Sequence, residues 1–127
     1  MKIDQLLLCD LAFYSKEGKL NLIGIFENIL VPQIPYSHSK ICIVGFVSGS
    51  PDTKAQIFLS VSDPAGKSIV PLQSINVTFG TYGLTNFRFE LINFPIQAEG
   101  SYKISISDLN SEIAKTQLFI KKTGASN

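Results

Sequence analysis

The sequence contains very few of the residues from which metal and cofactor sites are built. Its 127 residues include one histidine, His38, and two cysteines, Cys9 and Cys42, which are well separated along the chain. No zinc-site spacing exists among them, and no nucleophile or partner acid stands near His38 in the sequence. We therefore expect no metal, no cofactor and no catalytic residue, and we expect that the protein is not an enzyme.

The two cysteines stand within apolar runs, where cysteine usually behaves as a small buried hydrophobe. We predict that Cys9 and Cys42 are buried, and their spacing leaves open whether they form a disulfide. The chain has no tryptophan, so it lacks the Trp and disulfide core of antibody domains.

Charge and long apolar segments are scarce as well. Charged residues make up 17% of the chain, and eleven Lys and Arg oppose ten Asp and Glu, so no basic patch for nucleic acid is visible. No segment approaches the roughly 20 apolar residues of a membrane helix, and the apolar run 6–8 is too short for a signal peptide. We expect a cytoplasmic protein without nucleic-acid or membrane partners. Its composition, 45% hydrophobic, indicates one globular domain, residues 1–122, followed by a flexible tail, residues 123–127.

Apolar and polar residues alternate in several segments, which is the period of a β-strand. Leu84–Ile92 and Ser101–Asp108 show the alternation most clearly, and turn clusters such as SKEG, SGSPD and DPAGK separate the segments. About nine strands are predicted, over residues 5–14, 19–29, 39–48, 53–62, 67–72, 74–81, 84–92, 100–108 and 112–121. Many short strands at this spacing predict an all-β fold, an antiparallel sandwich or barrel.

Tyr102 favours the sandwich. It stands near the start of a predicted strand, two residues before the inward-pointing Ile104. This resembles the tyrosine corner of immunoglobulin-like sandwiches, in which the phenol hydrogen-bonds to upstream backbone. An ordinary half-buried tyrosine is the alternative. We predict an antiparallel, immunoglobulin-like, two-sheet sandwich.

The N-terminal segment LLLCDLAFYSKEGKLNLIGIF predicts a hairpin that is apolar on both faces. A turn with Gly18 in the left-handed region pairs Ser15 with Lys19 and places Asp10 opposite Gly24. A longer loop would place Asp10 opposite Ile23 instead. Neither register gives a polar face, although the outer face of a sandwich sheet is normally solvated. The hairpin therefore needs a second cover.

Three groups could cover the hairpin: the apolar loop ILVPQIPY, a second protein chain, or a hydrophobic ligand. Exposed apolar patches mark interaction sites, so the leading hypothesis is a binding protein that contacts a protein partner or itself through the hairpin. Its candidate interface residues are Leu6, Leu8, Asp10, Ile23 and Ile25. Asp10 itself is predicted to be structural, with local hydrogen bonds and with space beside it at Gly24.

Two other functions are considered. A small-molecule or glycan-binding module would use the loop-end aromatics Tyr36 and Tyr82, since sandwich loops commonly carry such sites. A hydrolase would need the carboxylates of Asp10, Glu27 and Glu90 to converge, which no spacing requires.

The segments CDLAFYSKEGKLNLIGIF, GSYKISI and QLFI together resemble a family of small uncharacterised bacterial proteins, a domain of unknown function. The resemblance covers essentially the whole chain, but its motifs are structural. It implies a compact β-sandwich and brings no activity, cofactor or site residue with it.

Overall fold

A computed structural model describes residues 1–123, which form nine β-strands and no helix, and so no helix that could cross a membrane. The strands are β1 (Lys2–Tyr14), β2 (Leu20–Phe26), β3 (Asn28–Val31), β4 (Tyr36–Ser48), β5 (Lys54–Ser62), β6 (Gln73–Thr78), β7 (Leu84–Ile96), β8 (Gly100–Ser107) and β9 (Glu112–Lys122). Sheet A has the order β2-β1-β4-β7 and sheet B the order β3-β9-β8-β5-β6. The chain is an immunoglobulin-like β-sandwich, which confirms the predicted fold class.

The predicted strands are correct in number, but two of them are wrong. Residues 67–72 form no strand beyond one isolated bridge between Ser62 and Ser68. The predicted strand 19–29 is interrupted at Glu27, where the chain leaves sheet A and enters sheet B as β3. Because β3 then pairs in parallel with β9, sheet B is mixed and not wholly antiparallel.

The main core lies between the two sheets. Its largest fully buried side chains include Tyr102, Phe87, Phe94 and Ile41, and burial of each contributes roughly 1.5–3 kcal/mol. The hydroxyl of Tyr102 donates to the carbonyl oxygen of Ala98 at 2.6 Å, the bond that a tyrosine corner requires.

The outer faces of the two sheets differ in character. Sheet B is polar outside, with residues such as Lys103, Ser60 and Gln117 between the core positions. Sheet A instead carries a second buried apolar group on its outer face, here called the outer cluster: Cys9, Ala12, Cys42 and Val44. Something must shield this cluster from water, and the N-terminal hairpin provides the shield.

The predicted tail, residues 123–127, falls mostly outside the described residues. Thr123 is described, and its amide donates to the carbonyl oxygen of Val31 at 2.8 Å. The remaining positions, 124–127, lie outside the described part of the chain.

Candidate interaction surface

The β1–β2 hairpin has the shorter of the two registers considered from the sequence. The amide of Ser15 donates to the carbonyl oxygen of Lys19 at 2.8 Å, and Gly18 has φ +83°. A constant register along the two strands then places Asp10 opposite Gly24. The turn chemistry of SKEG thus sets the pairing of the whole hairpin.

Near Asp10 and Gly24, the hairpin changes which of its two faces packs against the rest of the fold. In a regular strand, Cys9 and Ala12 would face opposite sides, yet both belong to the outer cluster. Gly24 has φ +71°, a left-handed conformation that glycine adopts without strain. The register is the same on both sides of this position, so the two strands turn together. The hairpin tip, residues 11–23, therefore folds back across the outer face of sheet A.

Two polar anchors hold the tip on β7. Arg88 donates from Nη1 to the carbonyl oxygen of Ala12 at 2.5 Å, and the Tyr14 hydroxyl donates to the Asn86 side-chain oxygen. The Arg88 guanidinium also lies 5.6 Å from the centre of the Tyr14 ring, within cation–π range. Leu20 and Leu22, on the inner face of the tip, pack against the outer cluster. The outer cluster thus covers one face of the hairpin tip, and the other face stays exposed.

The loop that was one of the three possible covers does not lie on the hairpin. Within the segment ILVPQIPY, Ile29 and Val31 are buried in the main core as part of β3, and Ile34 packs against the same core. The loop is not available as a cover because the chain crosses to sheet B at Glu27 and adds a strand there.

The predicted interface residues separate into two groups. Leu8 is buried in the main core and Leu6 packs against it, so the prediction that these two residues form a surface was wrong. Both residues precede Asp10, where the hairpin changes the face that it packs on the fold, and their side chains point between the two sheets. Asp10, Ile23 and Ile25 are exposed.

Asp10 lies directly over Gly24, so that a β-carbon at position 24 would overlap its carboxylate. The carboxylate makes no hydrogen bond within residues 1–123, in contrast to the predicted local bonds. Its backbone carbonyl oxygen accepts a hydrogen bond from the Sγ of Cys42 at 3.8 Å. Asp10 thus fills the space that the absent side chain of Gly24 leaves open.

Four large apolar side chains lie together on the solvent side of the hairpin. Leu11 is 38% exposed, Phe13 39%, Ile23 52% and Ile25 57%; we call these four residues the hairpin patch. Leu11 pairs directly with Ile23 across the two strands. Sequence reasoning missed Leu11 and Phe13 as surface residues, although their odd-numbered spacing relative to Ile23 and Ile25 would have placed them there.

The free edges of the two sheets are protected to different degrees. Of the edge strands, β3 has only four residues, β6 carries polar residues such as Asn76, and β7 carries Arg88, Glu90 and Pro95. Charges, prolines and short length are the usual devices that keep edges from pairing with another chain. Neither β2 (LNLIGIF) nor β6 (QSINVT) contains a charge or a proline, but β2 carries more large apolar side chains than β6.

Cys9 and Cys42 are free, fully buried thiols that oppose each other across β1 and β4. Burial and the neighbouring Cys42 thiol raise the pKa of Cys9. The Cys9 thiol is therefore held neutral, and both thiols are shielded beneath the hairpin tip, an arrangement that suits packing and not nucleophilic attack.

The two ligand-binding candidates, Tyr36 and Tyr82, are not brought together. Tyr36 begins β4, whereas Tyr82 stands in the turn before Leu84, which pairs with the last residue of β4. Twelve residues of strand, about 40 Å, separate the two ends. Glu90 forms an ion pair with Lys40 at 3.3 Å. Within residues 1–123, no three His, Cys, Asp or Glu side chains are grouped so that they could hold a metal ion.

Solved structures similar to this chain share its fold at low sequence identity. An alkylpurine DNA glycosylase from Pseudomonas fluorescens matches with a TM-score of 0.60 at 9% identity, over 94% of this chain and 30% of that one. A β-glucosidase from Listeria innocua matches with a TM-score of 0.55 at 11% identity, over 76% of this chain and 15% of that one. The chain thus spans less than a third of either enzyme, and the likeness concerns the fold alone. An immunoglobulin-like protein from Pseudomonas aeruginosa has similar length, with a TM-score of 0.48 at 12% identity, over 94% of this chain and 95% of that one.

Sequence comparison gives the family. No curated protein matches the chain significantly. A family model described as a family of unknown function, DUF6941, matches residues 4–121, nearly the whole sequence and both sheets of the sandwich. This chain belongs to that family of unknown function.

Proposed function

We propose that this protein acts by binding another protein chain through its N-terminal hairpin, and not by catalysing a reaction. The observation that carries the proposal is the hairpin patch, in which four large apolar side chains stay exposed on two paired strands. Contiguous exposed apolar patches on soluble proteins mark interaction sites. The two free thiols suit a reducing compartment, and we place the interaction in the cytoplasm.

The anchoring of the hairpin supports this proposal. The Arg88 bond to Ala12 and the packing of Leu22 on the outer cluster hold the patch in one position before any partner arrives. A surface that is ordered in advance loses little conformational entropy on binding. The patch is therefore suited to contact with a protein.

The depressions on the surface favour a protein partner over a small molecule. Two open depressions of about 230 and 430 Å³ lie near Gln56, lined by polar residues such as Asn110 and Lys54 and by apolar residues such as Leu109 and Ala55. Small-molecule sites are normally enclosed, whereas both of these depressions are open. Neither depression includes Tyr36 or Tyr82, the aromatic residues on which the ligand-binding alternative depends.

Size-exclusion chromatography of a clarified extract from cells that make the tagged protein tests the proposal. We expect the wild type to elute above the monomer size, and a double variant, Ile23→Lys with Ile25→Lys, to elute as a monomer. Leu72→Lys is the matched control, because Leu72 is 67% exposed away from the hairpin. A wild type that elutes as a monomer, or a double variant that elutes as the wild type does, would overturn the proposal.

A further inference from the structure

We propose that the partner is a second copy of this chain, joined through the free edge of β2 in an antiparallel pair. This inference rests on the proposed function and names the chain that the hairpin binds. Three properties of β2 support it: its unpaired backbone, the absence of protection at its edge, and a side-chain pattern that is complementary to itself.

The backbone of β2 is available on the side away from β1. Lys19 accepts a hydrogen bond from Ser15, so the odd-numbered residues direct their backbone groups toward β1. Leu22 and Gly24 therefore direct theirs to the free edge, where no strand follows within residues 1–123. On β1, the carbonyl oxygen of Ala12, which pairs with Leu22, points away from β2 and accepts a hydrogen bond from Arg88. A strand of a second copy is the kind of group that completes such an edge.

The side chains around β2 form a pattern that complements itself. Lys19, Asn21, Ile23, Ile25 and Glu27 lie at alternating positions, with a cation just before the strand and an anion just after it. An antiparallel copy related by a two-fold axis at Ile23 pairs Leu20 with the partner's Phe26, so Lys19, just before the strand, comes next to the partner's Glu27 at the bend where the chain leaves sheet A, and the same contact recurs by symmetry. Ile23 then meets the partner's Ile23, and Ile25 lies opposite the partner's Asn21 on either side of this central apolar pair.

The two charges cannot meet within one chain. Lys19 and Glu27 are eight residues apart, roughly 26 Å along a strand, and neither forms an ion pair within residues 1–123, where the bridges are Lys40–Glu90 and Lys103–Glu112. A second copy brings each charge opposite its counterpart. Two-fold pairing of one surface with itself is the commonest arrangement of homodimers.

Sedimentation of the purified protein with charge-reversal variants tests this register. We expect a dimer for the wild type, and we expect Lys19→Glu or Glu27→Lys alone to raise the dissociation constant about tenfold at low salt, because each variant sets like charges opposite each other twice. The double variant Lys19→Glu/Glu27→Lys should dimerise as the wild type does. Lys16→Glu is the control, since it makes the same charge change at an exposed turn residue outside the pairing.

A mixture of the two single variants gives the sharpest readout. In a heterodimer of Lys19→Glu with Glu27→Lys, both opposed pairs are again of opposite charge, so the mixture should dimerise more tightly than either variant alone. A wild type that is monomeric at every accessible concentration overturns the inference, and so does a dimer that responds equally to Lys16→Glu and Lys19→Glu. If the purified chain is monomeric while the extract shows a hairpin-dependent complex, the inference fails and the proposed function stands. If neither the extract nor the purified protein shows a complex, the inference and the proposed function are both wrong.

Discussion

Arg88 donates a hydrogen bond to the carbonyl oxygen of Ala12 at 2.5 Å, although the two residues belong to strands that β4 separates. The bond exists because the hairpin tip folds back across the outer face of its own sheet. One side of the tip thereby buries Ala12 on the outer cluster, and the other side presents the hairpin patch to solvent.

Removing the Arg88 anchor should loosen the hairpin. Arg88→Ala loses a charge-assisted bond to Ala12 and the contact with the Tyr14 ring, so we expect a loss of about 1.5–3 kcal/mol in the free energy of unfolding. Urea denaturation measures the loss, with Lys115→Ala on the polar face of sheet B as the control. A loss equal to that of the control would contradict the anchoring role.

Two glycines of the hairpin should respond differently to alanine. Gly18→Ala meets open space at φ +83° and should cost about 1–2 kcal/mol for the left-handed backbone alone. Gly24→Ala has a similar φ but also collides with the Asp10 carboxylate, so its cost should be larger. Thermal or urea unfolding compares the two variants. The double variant Gly24→Ala/Asp10→Gly should recover the difference; if it recovers nothing, the collision is not the cause.

The contribution of the tyrosine corner to stability should be measurable by removing the hydroxyl group of Tyr102. Tyr102→Phe removes the hydroxyl that donates to Ala98 and keeps the ring, which packs edge-on against Phe94 at 5.8 Å between centroids. We expect a loss of about 1–3 kcal/mol, because the Ala98 carbonyl loses its buried donor. Tyr82→Phe, at a position 89% exposed, should change stability by less than about 0.5 kcal/mol. Equal effects of the two variants would exclude a corner role.

Glu112 should make stability depend on pH on the acid side. Hydrogen bonds from Lys103 and Ser105 hold the pKa of Glu112 below its ordinary value of 4.5. A carboxylate with a lowered folded pKa contributes stability that is present above its unfolded pKa and is lost as pH falls through the folded pKa. The difference in unfolding free energy between the wild type and Glu112→Gln should therefore shrink as the pH falls from neutral through the folded pKa of Glu112. Glu17→Gln, in the exposed hairpin turn, is the control and should show no such trend.

Local sequence signals predicted much of this fold. Alternation located the long strands, because a strand with one face in the core must repeat every two residues. The SKEG turn predicted the Ser15–Lys19 closure, and with it the position of Asp10 opposite Gly24, because the length of a turn sets the register of the hairpin it joins.

The site was predictable only in part. Ile23 and Ile25 were named from the sequence and are exposed, whereas Leu6 and Leu8 were named and lie in or against the core. Because the two faces of the hairpin are equally hydrophobic, the sequence does not indicate which of its residues face solvent. That choice depends on where the hairpin rotates, and the rotation depends on contacts with β4 and β7.

The sequence by itself determined that this chain forms two sheets of short strands and closes its first hairpin at Gly18. The tertiary structure alone decided that the chain changes sheets at Glu27, that β3 runs parallel to β9, and that the hairpin covers its own sheet. The physical reason is the range of the interactions. Side-chain alternation and turn geometry act over a few residues, whereas the fold-back depends on Cys42, Val44 and Arg88, which the chain brings to Ala12 from 30 to 76 residues away.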